Sequence, residues 1–358
     1  MRILFINSDP DRSELDMVLK INAKGIFIKI LTSENSKYRK ELEEAGVYIP
    51  CKDYNSKWNW ALIRQIRSLI NKEGFNILHA IHSSGLANAI WASYGKRLKI
   101  IGYRGTLAKI RRHDPTYWLG VLNPRVDKVV CVNKTIYDYM CNFYRPEKLL
   151  INYKGYDIKW AEELTKENTT IDGVPEDAFV VMYIAQTKNR PFKGLDILTE
   201  AIHHLNDPRI HFVFIGNYSK ASKAIADNGA ASNSIHFLGP LPNAAKYLVH
   251  ADLFVLPSLR DGLPRVLKEA MAQEVPLIIS DIPGPIELVD HKKTGLIVEP
   301  GNHIALAEAI SYYNSHEKER IAHGKQGKEY LVSNFSSELF VEKIIGLYKQ
   351  LYDEMVTN

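Results

Sequence analysis

A regular alternation of short apolar segments with helical patterns runs through this chain twice, and it constrains the fold more than any other feature. Parallel strands joined by helices are buried on both faces, so they appear in a sequence as short apolar runs between amphipathic segments. One series begins with RILFIN at 2–7 and a second with AFVVMYI at 178–184. The predicted fold class is α/β, with two Rossmann-like doubly wound domains that face each other across a cleft. The predicted strands are 2–7, 26–31, 76–79, 99–103, 127–132, 178–184, 209–215, 234–237, 252–256 and 276–280, and the predicted helices are 13–23, 37–45, 58–71, 84–95, 134–143, 194–204, 219–228, 243–249, 264–273 and 303–314.

A polar segment separates the two series. Residues 158–177 contain Gly173 and Pro175 but no strand pattern, which is typical of a linker. A chain of 358 residues is also of a length that suits two domains. We therefore expect a first domain over 1–160 and a second over 161–339, followed by an amphipathic helix that covers 340–358.

The composition is that of a globular protein without a membrane span. Hydrophobic residues make up 46% and charged residues 24% of the chain, and no apolar run reaches the length of about 18 residues that a spanning helix needs. The first residues lack the pattern of a signal peptide. Three scattered cysteines indicate reduced thiols and a cytoplasmic protein.

Positive charge is concentrated in the first half. Residues 1–165 carry 27 Lys and Arg against 17 Asp and Glu, whereas residues 166–358 carry 19 against 24. This asymmetry suggests that the first half meets an anionic lipid surface, a phosphorylated acceptor or nucleic acid. A solvated lysine-rich surface explains it equally well. Because no nucleic-acid-binding motif is present, we expect no nucleic-acid partner.

The stretch LRDGLPRVLKEAMAQE, 259–274, follows a predicted strand and opens a helix. Pro264 suits the first helical position, which makes Leu263 the expected N-cap and leaves backbone N–H groups for an anion. Asp261 and Glu269 could then bracket a ligand whose anionic middle rests on the helix start. An earlier loop within 183–198 crowds Lys188, Arg190 and Lys193, cations able to hold a diphosphate. Together the two loops predict a site for a nucleoside diphosphate sugar.

The segment PSLRDGLPRVLKEAMAQEVPLIISDIPGPIELVDHKKTGLIVEPGN resembles the signature region of the retaining family 4 glycosyltransferases, which have the GT-B fold. RPFKGLDILTEAI, FVFIGN, IHFLGPL and HADLFVLPS resemble further family motifs, and VDKVVCVNKTIYDYM and KGYD do so in the first half. The resemblance covers the second half well and the first half loosely. It implies that the last helix crosses back onto the first domain.

The resemblance also implies roles for residues of the donor site. Glu269 would bind the ribose, Asp261 would contact hydroxyls of the transferred sugar, and Lys193 would neutralise the diphosphate. Arg190 would replace the family's arginine, whose usual position holds Gln186. The remaining donor contacts implied are Gly262, Leu263 and Pro264 against the diphosphate and sugar, Leu238, Gly239 and Leu241 around the base, and Asn217 in FVFIGN.

The first domain would bind the acceptor. Arg104 stands where the family commonly has a histidine near the transferred sugar, and it would act electrostatically because an arginine cannot be a general base. Lys154 stands where an asparagine is usual, whereas His79 is interpreted as structural. The acceptor-binding residues expected are Asn7, His82, Arg111, Arg112 and Lys154. The loop KIRRH, 109–113, is explained as well by a solvated surface as by an acceptor site, and with Tyr117 and Trp118 nearby it could instead meet an anionic membrane surface.

The resulting prediction is a cytoplasmic retaining hexosyltransferase, peripheral at the inner face of the plasma membrane. It would move a hexose or N-acetylhexosamine from a nucleotide sugar, with UDP as the favoured nucleotide, to a saccharide or lipid-linked saccharide in O-antigen, capsule or lipopolysaccharide-core assembly. No metal or other cofactor is expected, since cations and a helix start would stabilise the leaving diphosphate, and DPD at 9–11 is out of context for a metal motif. One alternative is a degenerate GT-B protein that binds a glycan or partner without transfer, and another is a nucleic-acid glucosylator or binder.

Overall fold

The structure, a computed structural model, describes residues 1–165, 169–218 and 234–357. Its chain forms two compact units: unit 1 comprises Met1–Gly155 and Ser337–Asn358, and unit 2 comprises Tyr156–Ser336. Each unit is built on a parallel sheet, so the prediction of two Rossmann-like α/β domains is confirmed. The boundaries expected near 160 and 340 fall a few residues later along the chain than this division.

Unit 1 contains a seven-stranded parallel sheet in the order β3-β2-β1-β4-β5-β6-β7. Its strands are β1 Arg2–Ile6, β2 Phe27–Ser33, β3 Tyr48–Cys51, β4 Ile77–Ala80, β5 Lys99–Arg104, β6 Lys128–Cys131 and β7 Leu149–Ile151. Its helices are α1 Arg12–Ala23, α2 Arg39–Glu44, α3 Trp60–Glu73, α4 Ser83–Ser93, α5 Pro115–Trp118 and α6 Lys134–Met140, with a 3-10 turn at Pro146–Lys148.

Unit 2 contains a six-stranded parallel sheet in the order β10-β9-β8-β11-β12-β13. Its strands are β8 Phe179–Ile184, β9 Ile210–Ile215, β10 Ile235–Gly239, β11 Leu253–Leu256, β12 Leu277–Ser280 and β13 Gly295–Val298. Its helices are α7 Lys159–Thr165, α8 Leu195–Ile202, α9 Arg265–Ala272, α10 His303–Ser315 and α11 Glu317–Phe335, with 3-10 turns at Pro191–Lys193, Ala244–His250 and Pro285–Glu287.

The final helix, α12 Ser337–Thr357, belongs to unit 1. Its apolar face, which includes Ile344 and Tyr348, packs in the same core as Ile3, Phe5 and Met17. His79 lies in this core, where its Nδ1 and the Tyr348 hydroxyl are hydrogen-bonded at 2.7 Å. The interpretation of His79 as a structural histidine is therefore confirmed.

Several elements differ from the sequence-based prediction. The linker expected at 158–177 begins with helix α7, because Trp160 and Ala161 are buried and Tyr156 is anchored by its backbone N–H, which donates to the carbonyl of Phe335 at 2.9 Å. Strands β3, β7 and β13 and helices α5 and α11 were not predicted, and the helix expected at 243–249 is a 3-10 turn. The helix expected at 219–228 lies outside the described residues.

Candidate active site

The strand order of each sheet reverses once, and this reversal locates a candidate site in each unit. The reversal lies between β8 and β11 in unit 2 and between β1 and β4 in unit 1. In open parallel sheets, ligands bind beyond the carboxyl ends of the strands at such a point. The loops after β8 and β11 carry Lys193 and Asp261, and the loops after β1 and β4 carry Asp11 and His82.

An ion pair joins the two loops of unit 2. Lys193 Nζ lies 2.6 Å from Asp261 Oδ2, and these side chains are only 16% and 12% exposed. The other carboxylate oxygen of Asp261 accepts from the backbone N–H of Gly262 at 2.9 Å. Gly194 permits the close approach of the two loops, because any Cβ at this position would lie 1.9 Å from the Pro257 carbonyl oxygen. Two residues predicted separately for the diphosphate and the sugar are thus direct neighbours.

Helix α9 begins at Arg265 and has Pro264 as its N-cap. The expectation that Leu263 caps a helix starting at Pro264 is wrong by one residue, because Pro264 has an extended ψ of 120°. Proline offers no side-chain acceptor, so the N-cap does not satisfy the first backbone N–H groups of the helix. These donors start directly after the Asp261–Gly262 turn, where an anion would be stabilised.

Arg265 and Glu269 form a second ion pair on the same face of α9. Arg265 Nε donates to Glu269 Oε1 at 2.6 Å, with the carboxylate side chain 11% exposed. Residues four apart on a helix are neighbours, so this pair could have been found from the sequence, which gave Arg265 no role. Arg265 therefore orients the carboxylate that the family resemblance assigns to the ribose.

The loop after β8 is also tied to Asn217. Gln186 Oε1 accepts from Asn217 Nδ2 at 2.6 Å, and the Thr187 hydroxyl donates to the Asn217 carbonyl at 2.6 Å. Arg190 is exposed, and its guanidinium makes no ion pair with the residues that the structure describes. Its role as a replacement for the family's arginine stays a prediction.

The segment expected around the base ends strand β10. The carbonyl of Gly239 accepts from the backbone N–H of Gly216 at 2.8 Å, next in the chain to Asn217. Leu238 and Leu241 are half-buried. Their contact with a base stays a prediction.

Gly284, in the loop after β12, was not predicted as a site residue. Its φ is +102°, and a Cβ there would lie only 1.7 Å from the Gly262 carbonyl oxygen. Only glycine lets this loop lie against the Asp261–Gly262 turn. The DIPGP pattern after a predicted strand was the available signal.

Unit 1 has a cavity of about 680 Å³ at its reversal point. Lys154 lines it and lies 2.5 Å from Asp11 Oδ2 and 2.7 Å from Glu14 Oε1. Burial acts to lower the pKa of Lys154, but Tyr103, Glu14 and Asp11 outweigh it, so the pKa lies above its usual range. Asp11 and Glu14 were not selected from the sequence, although their spacing is that of the capping box they form.

His82, predicted for the acceptor, and Arg104, predicted to act electrostatically near the transferred sugar, also line this cavity. His82 is exposed and caps helix α4. Arg104 donates to the carbonyl of Ala108, and burial lowers the pKa of its guanidinium. The cavity therefore brings Arg104, His82 and Lys154 together, while their roles stay predictions.

Asn7 has a different place from the one expected. It is fully buried, and its Nδ2 donates to Glu14 Oε2 at 2.7 Å. Its side-chain Oδ1 accepts from the backbone N–H of Asp9 at 3.2 Å. With both ends of its carboxamide used, Asn7 positions Glu14 instead of lining the cavity.

Arg111 and Arg112 do not line the cavity around Lys154 either. Arg111 is exposed, and Arg112 lies over the Phe143 ring at 5.3 Å. Arg112 and Trp118 line a separate groove of about 560 Å³. The prediction that both arginines share the acceptor site with Lys154 is corrected by this geometry, since the stacking on Phe143 draws Arg112 away.

A further cavity of about 530 Å³ in unit 2 is lined by Asp252, Gln273 and Arg320. It lies at the amino ends of β11 and β12, opposite the edge that carries Lys193 and Asp261.

Across 1–165, 169–218 and 234–357, no three His, Cys, Asp or Glu side chains are grouped as metal ligands would be. Over the same residues, no helix has the length and apolarity that crossing a bilayer requires.

Family models match both parts of the chain. Residues 165–347 match the family described as glycosyl transferases group 1, and residues 15–160 match glycosyltransferase family 4.

Curated relatives match over different lengths. The putative teichuronic acid biosynthesis glycosyltransferase TuaC of Bacillus subtilis is 37% identical over 161 residues, which are 44% of this chain and 38% of the relative. An uncharacterized glycosyltransferase of Methanocaldococcus jannaschii is 25% identical over 81% of this chain and 78% of its own. The N,N'-diacetylbacillosaminyl-diphospho-undecaprenol alpha-1,3-N-acetylgalactosaminyltransferase of Campylobacter jejuni is 27% identical over 64% of this chain and 61% of its own. The alignments with the Bacillus and Campylobacter relatives thus span less than two thirds of those proteins.

Solved structures match over nearly the whole chain. A glycosyltransferase from Rickettsia africae superposes with a TM-score of 0.83 at 19% identity and covers 98% of both chains. HepE of Anabaena, crystallised with UDP, superposes with a TM-score of 0.79 at 17% identity over 98% of this chain and 100% of its own. At these identities the neighbours establish the fold, which is GT-B. The chain belongs to the glycosyl transferases group 1 family, with a family 4 domain as its first unit.

Proposed function

We propose that this protein is a retaining glycosyltransferase of surface glycan biosynthesis. It transfers a hexose or N-acetylhexosamine from a UDP-linked donor to a saccharide or lipid-linked saccharide. The observation that carries the proposal is the Lys193–Asp261 pair at 2.6 Å, placed at the strand-order reversal of unit 2 beside the start of α9.

Cleavage of the donor is favoured by positive charge that is already in place before the reaction begins. Departure of the nucleoside diphosphate leaves negative charge on phosphate oxygens, which the Lys193 ammonium and the first N–H groups of α9 stabilise without reorganisation. Asp261 accepts from sugar hydroxyls. Glu269, oriented by Arg265, accepts from the ribose hydroxyls. No resident cofactor enters this scheme.

The anomeric configuration is retained because the acceptor hydroxyl attacks the sugar on the face that the leaving group occupies. Asp261 and Glu269 each hold a cation, so neither carboxylate is arranged as the nucleophile of a glycosidase-like double displacement. The acceptor hydroxyl passes its proton to a donor phosphate oxygen. Arg104 stays protonated and contributes charge only.

The acceptor binds in the cavity of unit 1. Its volume of about 680 Å³ suits a sugar ring with part of a neighbouring group, and Lys154 and Arg104 supply fixed cations there. The Campylobacter relative is named for a sugar carried on diphospho-undecaprenol, and the Anabaena neighbour was crystallised with UDP. The first name supports a lipid-linked acceptor, and the second supports a UDP donor.

The test is a thermal-shift screen of UDP, GDP and ADP sugars, followed by analysis of the product anomer. Binding to the folded state should raise the free energy of unfolding by about 2.7 kcal/mol at 100 times Kd for UDP sugars. Glu269→Ala should remove this shift, whereas Glu317→Ala, on exposed surface of unit 2, should retain it. Stabilisation by none of the nucleotides, or an inverted anomer in the product, would contradict the proposal.

A further inference from the structure

One stretch of unit 1 is almost free of negative charge. Between Asp53 and Asp114 the chain carries eleven Lys and Arg residues and a single acidic residue, Glu73. The stretch runs from the loop after β3 to the loop before α5. The positive charge of the first half is therefore largely local to these elements and is not spread over the unit.

The same stretch and the loop that follows it carry exposed aromatic side chains. Trp58, Trp60, Tyr94 and Trp118 are 44%, 62%, 49% and 48% exposed. Trp58 is the centre of a cluster, since its ring centroid lies 5.2 Å from that of Trp60 and 4.4 Å from that of Trp91. Four of the five tryptophans of the chain thus lie in these segments.

Basic side chains are interleaved with these rings. Arg64 lies four residues after Trp60, and Arg67 lies seven residues after it, so all three are on the exposed face of α3. Arg67 Nη1 donates to the carbonyl of Tyr94 at 2.9 Å, which links α3 to the end of α4. The opposite face of α3 is apolar and packs inward.

Lys57 connects this cluster to the loop at 107–118. Its Nζ donates to the carbonyl of Thr116 at 2.7 Å and lies 5.7 Å from the centre of the Tyr117 ring. In that loop the indole N–H of Trp118 donates to the carbonyl of Arg112 at 2.8 Å, which leaves the ring itself outside. Residues 57–67, 91–94 and 107–118 therefore form one surface, which we call the aromatic–basic band.

We propose that the aromatic–basic band docks unit 1 on an anionic lipid bilayer. Tryptophan and tyrosine rings favour the interface between headgroups and acyl chains, and lysine and arginine are attracted to anionic headgroups. The rings of Trp58, Trp60 and Trp91 meet edge to face, at 88° and 65°. This arrangement makes an apolar ridge that can enter an interface, not a flat platform on which nucleic-acid bases would stack.

The band also borders the cavity that contains Lys154. Lys57, Thr116 and Tyr117 belong to the band and line that cavity. A docked unit would therefore present the cavity beside the headgroups, where a lipid-linked saccharide is anchored. This last step rests on the proposed function, whereas the docking itself does not.

The test measures binding of the full chain to vesicles, with no donor or acceptor present. Co-sedimentation should be strong with phosphatidylcholine–phosphatidylglycerol vesicles, weak with phosphatidylcholine alone, and reduced by salt. Because four of five tryptophans lie in the band, lipids brominated on the acyl chains should quench most of the intrinsic fluorescence.

Matched variants localise the effect. Arg64→Gln with Lys109→Gln should weaken binding about 25-fold, since each cation near an anionic surface contributes about fivefold. Lys40→Gln with Lys343→Gln removes the same charge elsewhere on unit 1 and should bind as the wild type does. Trp60→Ser should lower both affinity and quenching, and circular dichroism melts will show whether it folds normally.

Three results would overturn the proposal. The first is equal binding to neutral and anionic vesicles. The second is that the two pairs of charge-removing substitutions weaken vesicle binding equally, and the third is that brominated lipid does not quench the tryptophan fluorescence. Tighter binding to RNA than to the vesicles, with unquenched tryptophans, would assign the band to another partner. If docking holds and no UDP sugar binds, the band stands and the transferase proposal fails.

Discussion

Replacing Asp261 with asparagine should make the protein bind UDP more tightly while it impairs transfer. In the structure the Lys193 ammonium is neutralised by Asp261 at 2.6 Å. Asparagine keeps the size of the side chain and removes its charge. The freed ammonium can then act on the diphosphate alone, and the repulsion between the Asp261 carboxylate and the ligand disappears.

The size of this effect follows from the geometry of the pair. Two unit charges at 2.6 Å attract by about 6 kcal/mol at an effective dielectric constant of about 20. Solvation of the separated side chains and their lost mobility reduce the net value for a partly exposed pair to about 1 kcal/mol. UDP affinity should therefore rise about fivefold in Asp261→Asn.

Isothermal titration of UDP into wild type, Asp261→Asn, Lys193→Met and the double variant measures this directly. Most of the gain should disappear in the Lys193→Met background, because no ammonium remains to be freed and only the loss of carboxylate repulsion is left. Asp207→Asn is the matched control, since Asp207 pairs with Arg209 at the same 2.6 Å before β9, away from the candidate site. Unchanged or weaker UDP binding by Asp261→Asn would refute the reasoning.

Three further changes have defined outcomes. Gly284→Ala should lower both Tm and UDP affinity, because its Cβ would lie 1.7 Å from the Gly262 carbonyl oxygen. Lys154→Met should cost about 3–5 kcal/mol in urea unfolding, because it leaves the Glu14 carboxylate, whose side chain is 4% exposed, without its cation. Burial lowers the pKa of His79 to about 3, so below about pH 6.5 the unfolded chain gains a proton that the folded chain does not. Stability should fall by about 1.4 kcal/mol per pH unit from this source as the pH drops toward 3, and His79→Gln should lack that contribution.

Each of these changes has a control. Gly346→Ala adds a Cβ that meets nothing within 4 Å, so it should leave Tm unchanged or higher, and equal losses in the two alanine variants would contradict the contact argument. Glu14→Gln should restore much of the stability lost in Lys154→Met. His316→Gln, at an exposed site, should keep the pH dependence of the wild type.

The strands that the sequence missed share one position in the fold. β3, β7 and β13 all lie at sheet edges and have three or four residues each. An edge strand pairs on one side only and needs less apolar surface, so its run of hydrophobic residues is short or interrupted, as by Pro50 in β3. The central strands, buried on both faces, were all predicted within a few residues of their observed bounds.

The pairing of site residues was harder to predict than their identity. Lys193 and Asp261 were each expected at a strand end, but their contact depends on β8 lying beside β11, and chain order does not reveal that neighbour. The same holds for Lys154 and Glu14, which are far apart in the sequence. The Arg265–Glu269 pair depends only on helical spacing and was available from the sequence alone.

The placement of α12 has a consequence for how the chain is made. The core of unit 1 includes Phe340, Ile344 and Tyr348, which are synthesised only after all of unit 2. On the ribosome, the sheet that begins at β1 therefore waits with an apolar face uncovered while unit 2 is produced and can fold as a unit. Unit 1 is the first to emerge and the last to be complete, and during that interval its exposed face is a natural client for chaperones.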